Sequence, residues 1–240
     1  MNIEQFRNAL PPEINQENSL WLRHVIRPIS FYAAYAFQRL GFTANRVTYL
    51  SIIVAFVAFI IFLLGGRVFT IAGAVMVQIW MILDCVDGNL ARVNEKKNPY
   101  GAFVDAMSGY TLLGFVFLGI GIVAEREPGW LNQYIPDNFF ILLGSIAAVS
   151  TLTARLIFQK FVATEYEFGI SRYPRSNKPG RLLHFLDKNI GISGLFMPAL
   201  LFMAIFNFMQ LLVVFYSVYY FCVLIFCYVK FIRKVENVAS

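Results

Sequence analysis

Six largely apolar stretches, at about 46–64, 68–91, 101–124, 138–160, 190–207 and 208–232, constrain this chain more than any other feature. A helix needs about 20 such residues to cross the hydrocarbon core of a bilayer. Within lipid, only helices and closed barrels satisfy their own backbone hydrogen bonds. The spacing therefore predicts an all-α polytopic membrane protein with six transmembrane helices. With 58% hydrophobic residues, 25 Phe and only 14% charged residues, the chain is too apolar for one ordinary soluble domain. Thr43 is placed to cap the first helix and Gly65-Gly66 to stop it; Pro99, Pro128, Pro136 and the stretch 174–180 punctuate the connections. The fifth and sixth spans meet near Asn207.

Ahead of the first span, residues 19–40 interleave Trp21, Phe31, Tyr32, Tyr35 and Phe37 with Arg23, Arg27 and Arg39, the pattern of a helix lying in the membrane interface. A short seventh span is the alternative. The expected organisation is an N-terminal cytoplasmic or interfacial helix region, 1–42, and a six-helix membrane domain, 43–235. An even number of spans puts both termini on one side, and every Lys and Arg except Arg67 and Arg126 then falls on that same side. The positive-inside rule makes it cytoplasmic, in a plasma or inner membrane. The net charge of +6 follows from this distribution and calls for membrane lipids, not nucleic acid, as partner. The first 20 residues lack a basic segment followed by an apolar one, so they do not read as a cleaved signal. Cys85, Cys222 and Cys227 all lie in apolar stretches, which predicts neither a disulfide framework nor a zinc site.

Within the spans, acidic residues are confined to Asp84, Asp87 and Asp105. Each costs about 2.5–3.5 kcal/mol at the centre of a spanning helix, so something must compensate them. Asp84 and Asp87 are three apart and share a helix face; Asp84 lies about 12 Å from the helix end at Arg92. Asp105 enters the next span by about 6 Å, level with the first pair across a hairpin, so three oxygen donors are expected to converge. Carboxylates without a His or Cys donor suit a hard cation, Mg²⁺, Mn²⁺ or Ca²⁺, and not zinc. Gly88, Ala91 and Gly101 leave space between the helices, and Arg92 presents a fork that matches phosphate oxygens.

Asp84, Asp87, Gly88, Ala91, Arg92, Gly101 and Asp105 fit DxxDGxxAR, eight residues, then GxxxD, which resembles the signature of the CDP-alcohol phosphotransferases. TANRVTYLS at 43–51 is similar to the segment that opens the first span in many members. The resemblance implies a transferase that passes a substituted phosphate group from a CDP-alcohol donor to a hydroxyl acceptor and releases CMP, in phospholipid or head-group and glycan synthesis. It implies Mg²⁺ or Mn²⁺ on Asp84, Asp87 and Asp105, which are also the catalytic residues. Nucleotide contacts would come from Asn45, Thr48, Gly88, Ala91, Arg92 and Gly101, and the protein would act as a homodimer. The acceptor's charged group is placed among Arg155, Arg172, Arg175 and Arg181, on the cytoplasmic side, with a lipid-surface patch as the alternative for this basic run.

One position departs from the pattern. Members continue GxxxDxxxD, and the last Asp assists the metal and takes the acceptor's proton; here that position is Gly109. Alone, Gly109 reads as a packing glycine in a small-xxx-small row with Gly101 and Asp105. Two further readings stand beside the transferase: a non-catalytic protein that keeps a metal or CDP site, and an ion or proton pathway. For Asn45 and Thr48 the alternative is helix-start capping. His24 and His184 have no partner spacing for a metal.

Overall fold

A computed structural model describes residues 2–10, 19–93, 100–128, 134–169 and 188–239, all of whose regular structure is helical. In chain order the helices are α1 (Ile3–Asn8), α2 (Arg27–Arg39), α3 (Ala44–Leu64), α4 (Arg67–Val93), α5 (Gly101–Arg126), α6 (Phe139–Glu167), α7 (Met197–Phe206) and α8 (Met209–Ala239). Five are long and apolar enough to cross a membrane: α3, α4, α5, α6 and the Met209–Glu236 part of α8. The remaining apolar run forms the shorter helix Ile192–Phe206. Among the described residues the chain is thus an all-helical integral membrane protein, with five full-length spans and one short apolar helix where six spans were expected. The short one opens as a π-helical turn, Ile192–Phe196, because Gly194 leaves helical geometry at φ −97° and ψ −120°. A Cβ at Gly194 would stand 2.4 Å from the Asn189 carbonyl oxygen, so only glycine fits that turn. Asn207, at φ 63°, ends α7 in the left-handed conformation that asparagine tolerates.

The chain divides into two compact units, Met1–Leu112 with Phe185–Asn207, and Leu113–His184 with Phe208–Ser240. In the first, Thr43 caps α3 through the Arg46 N–H at 3.4 Å, and Gly65 and Gly66, at φ 75° and 83°, turn the chain into α4. Phe62 on α3 packs flat on Gly73 of α4, where a Cβ would meet its ring at 2.5 Å. The N-terminal residues also fold. Asn2 and Gln5 form a reciprocal capping box at 2.8 and 2.9 Å, and α1 buries Phe6 against the Phe31 and Tyr35 rings of α2. The helix that ends as α2 is not among those long and apolar enough to cross a membrane. Here α2 follows a π-helical turn, Leu22–Ile26, and packs on α4, where the Trp21 indole donates to Gln78 Oε1 at 3.1 Å. Gln78 in turn donates to the Met197 carbonyl at 3.0 Å, tying α7 to α4.

In the second unit, α5 and α6 touch backbone to backbone. A Cβ at Gly144 would stand 2.5 Å from the Phe117 oxygen, and one at Gly121 would stand 2.7 Å from the Phe140 oxygen. Close approach through small residues is how helices associate in lipid, where the hydrophobic effect no longer drives them together. Gly144→Ala is therefore expected to destabilise by about 1–3 kcal/mol, as overpacking does. Thermal unfolding in detergent reads this as a lowered Tm. Glu125 accepts the Asn138 and Phe140 N–H groups at 2.8 and 2.9 Å and so caps α6. At the other end α6 runs seven residues beyond the expected boundary at 160. There Glu165 pairs with Lys234 of α8, below a cluster of Ala154, Cys227 and Phe231. All three cysteines are free.

Glu127, one residue past α5, is 7% exposed and accepts the Met209 N–H at 3.0 Å. Burial pushes its carboxyl from the ordinary 4.5 up to about 7. The folded chain therefore keeps a proton that the unfolded chain releases above about pH 4.5. Its contribution to stability is complete below that pH and is lost as pH rises through about 7. The Tm is expected to fall between pH 5 and pH 8, and Glu127→Gln, which imitates the protonated acid, should flatten that fall.

Candidate active site

The first unit carries every residue of the DxxDGxxAR–GxxxD pattern. Asp84, Asp87, Gly88, Ala91 and Arg92 occupy the last turns of α4; Gly101 and Asp105 occupy the first turns of α5. Their exposure is graded: Asp87 is 6% exposed and Asp84 and Gly88 half-buried, while Ala91, Arg92 and Asp105 are open to the surroundings. The site is a recess with one buried carboxylate at its base. The charges of Asp84 and Asp105 both act on Asp87, and Arg92 acts on Asp87 and Asp105. Its guanidinium folds back over Gly88, where a Cβ would stand 3.1 Å from Nη1.

Asp87 is held from α3. The Thr48 hydroxyl donates to Asp87 Oδ2 at 2.7 Å, with the Ala44 carbonyl at 3.1 Å as its second neighbour. A hydroxyl has one proton, and the shorter, charge-assisted bond takes it. Thr48 is thus neither the cap of α3, a task Thr43 performs, nor a free donor; its geometry suits orientation of Asp87. Asn45 stands half-buried in the first turn of α3. Hydrogen bonds to ligating carboxylates are commonly worth 10- to 100-fold in metal affinity. Thr48→Val is expected to weaken Mn²⁺ binding by about that much, measured by titration of the purified chain.

Behind Thr48 runs a buried polar chain that sequence reasoning did not anticipate. Trp80 Nε1 donates to Ser108 Oγ at 3.0 Å, Ser108 and Ser51 share a bond of 2.6 Å, and Ser51 donates to the Thr48 carbonyl at 2.7 Å. Because the Ser51 proton goes to that carbonyl, Ser108 must be the donor in the serine pair. The chain links α4, α5 and α3 and sets the height of Asp105, three residues before Ser108. A polar residue in each of three apolar helices was its only sequence signal.

Gly109 is not a packing glycine: a Cβ there would meet nothing within 4 Å. The close glycine contacts between helices lie at Gly73, Gly121 and Gly144. Arg155 is exposed on α6, in the second unit; Arg172, Arg175 and Arg181 lie outside the described residues.

Convergence of the carboxylates is looser than the hairpin argument implied. Among the described residues, no three Asp, Glu, His or Cys side chains gather closely enough to form a metal-binding group. Asp84 and Asp87 share one helix, whereas Asp105 stands at the exposed edge on another, and like charges oppose closer approach. The donor set still fits a hard divalent cation: it is all oxygen, one carboxylate is already buried and oriented, and the other two lie within electrostatic reach of it.

Compared with known families, residues 42–217 match the model described as CDP-alcohol phosphatidyltransferase. A search of curated proteins finds no match. The matched region begins just before α3, covers the whole recess and continues into α8, so the chain belongs to the CDP-alcohol phosphatidyltransferase family.

Proposed function

We propose that this chain transfers a substituted phosphate group from a CDP-alcohol to an acceptor hydroxyl and releases CMP. The observation that carries the reading is the buried, Thr48-bound Asp87, with two more carboxylates and the Arg92 guanidinium in its field. Asp84, Asp87 and Asp105 would hold the divalent cation that members of the family generally use. When bound, it supplies positive charge against the diphosphate and the departing phosphate. Thr48 keeps one Asp87 oxygen fixed, and Arg92 offers its fork to phosphate oxygens as it leaves its resting place over Gly88. Nucleotide then lies along Gly88, Ala91 and Gly101, with Asn45 at the rim. The acceptor oxygen bonds to the β-phosphorus while the bond from that phosphorus to the bridging oxygen breaks, and CMP departs with the bridging oxygen. Residue 109 offers no carboxylate, so the acceptor's proton leaves to water or to a substrate oxygen.

The donor is CDP-diacylglycerol or a small CDP-alcohol, and the product a phospholipid or a head-group or glycan intermediate. The acceptor's charged group is assigned to Arg155 and the basic segment 172–188. Both termini face the cytoplasm, and α8, whose exposed Phe215, Val218, Phe221 and Ile225 suit lipid, is the helix assigned to pairing of two copies. Incubation of the purified protein with Mg²⁺, candidate CDP-alcohols and acceptors, followed by mass spectrometry, tests the reading. CMP together with a new phosphodiester is expected. Gly109 favours a second reading, a CDP-binding protein without turnover; CDP-alcohol binding with no CMP from any acceptor would select it.

A further inference from the structure

The structure brings within electrostatic reach of Arg92 a residue that the signature does not contain. Arg27 opens α2, yet it does not turn to the membrane surface as the neighbouring exposed Arg23 does. It is half-buried against α4, and its Nη1 reaches Asn89 Oδ1 at 3.5 Å, the outer limit of a hydrogen bond. Its Nε is buried without a hydrogen-bond partner among the described residues. Asn89, 3% exposed, lies four residues after Cys85 and three before Arg92, so these three share one stripe of α4. The Arg27 charge acts on both Cys85 and Arg92. The Arg27 guanidinium, on Asn89, therefore lies within electrostatic reach of the Arg92 guanidinium, over Gly88, and neither forms an ion pair among the described residues.

Like charges beside a partly desolvated recess repel, and a buried guanidinium nitrogen without a partner costs stability. An anion with several oxygens between the two forks removes both penalties together. A single phosphate could engage one fork in a bidentate pair, whereas a diphosphate has oxygens for both. The carboxylate side of the recess repels such an anion unless a cation lies between, which is the division of labour proposed above. Membrane anchoring explains the exposed Ile29 and Tyr32 of α2, but not a guanidinium turned inward.

We infer that Arg27 is a second phosphate-binding residue, gripping the donor diphosphate together with Arg92, so that the interfacial helix forms one wall of the substrate site. This rests on the transferase reading. The ligand chemistry, a phosphate group, could also come from a phosphorylated acceptor, and the test separates the two.

Binding of CDP, CMP and glycerol 3-phosphate to the full-length protein in detergent with Mn²⁺ is measured by calorimetry, for wild type, Arg27→Gln, Arg27→Lys and the surface control Arg23→Gln. The expected result is a 10- to 100-fold weakening of CDP binding in Arg27→Gln, the size of lost charge-assisted hydrogen bonds. CMP binding should change less, so that the preference for CDP over CMP shrinks. Arg27→Lys, which keeps the charge without the fork, should recover part of the loss, and Arg23→Gln should bind as wild type does. Should the glutamine variant not fold, the lysine variant decides: at least threefold weaker CDP binding by a folded chain supports the clamp, and wild-type affinity overturns it. Unchanged CDP affinity in Arg27→Gln also overturns it, as does an effect confined to glycerol 3-phosphate, which would move Arg27 to the acceptor side. If wild type itself binds no CDP with Mn²⁺, the transferase reading falls and the clamp with it. If wild type binds and only the variant comparison fails, the transferase reading stands.

Discussion

Gly109→Asp is expected to raise CMP release by about a hundredfold to ten-thousandfold, the usual contribution of a positioned general base. Residue 109 lies one helical turn beyond Asp105 on the same face of α5, and the space around it is open, so a carboxylate enters without displacing a neighbour. Substitution at Gly121 or Gly144 would force helices apart; at Gly109 the change is chemical and not steric. Rates of the two proteins with the same donor and acceptor at saturating Mg²⁺ give the answer. Equal rates would show that another group already takes the acceptor's proton, and a slower variant would show a site adapted to glycine.

Asp87→Asn is expected to act in opposite directions on stability and on binding. Asp87 is the most buried of the three carboxylates and feels the charges of the other two. Removing its charge relieves repulsion in the metal-free chain, whose Tm should rise or hold. The gain from added Mg²⁺ should vanish, whereas a cation at a hundred times its Kd adds about 2.7 kcal/mol to a protein that binds it only when folded. CDP retention should disappear with that gain. A variant whose Tm still climbs with Mg²⁺, and which still holds CDP, would remove Asp87 from the metal site.

Helices with continuous apolar runs were legible in the sequence, because length and hydropathy alone decide what lipid accepts. The starts and stops at Thr43, Gly65-Gly66 and Asn207 could be read because each rests on a local backbone requirement. The shortened fifth run could not, since the need for glycine at 194 comes from the Asn189 carbonyl pressed against it. Asp84 and Asp87 were legible as a pair from their spacing, but the distance to Asp105 depends on how α4 and α5 pack. That packing runs through Trp80, Ser108 and Ser51, which look like isolated polar residues in the sequence. Arg27 was visible only as one basic residue of an interfacial helix. Which way it faces depends on the rotation with which α2 docks on α4, fixed by contacts such as Trp21 with Gln78.

The buried hydroxyls behind Asp87 have a consequence for the path of the acceptor's proton. An indole N–H can only donate, and it heads a queue in which Ser108 gives to Ser51 and Ser51 to a backbone carbonyl. Thr48 faces Asp87 with its own proton forward. Ser51 has one proton, so reversing the serine pair would take it away from the Thr48 carbonyl. This network ends at a backbone carbonyl, which holds no proton to pass on, so among the described residues it gives Asp87 no relay into the helix bundle. A proton released in the recess must exit by the exposed side, past Asp105 and Arg92, where water and substrate oxygens are the available carriers.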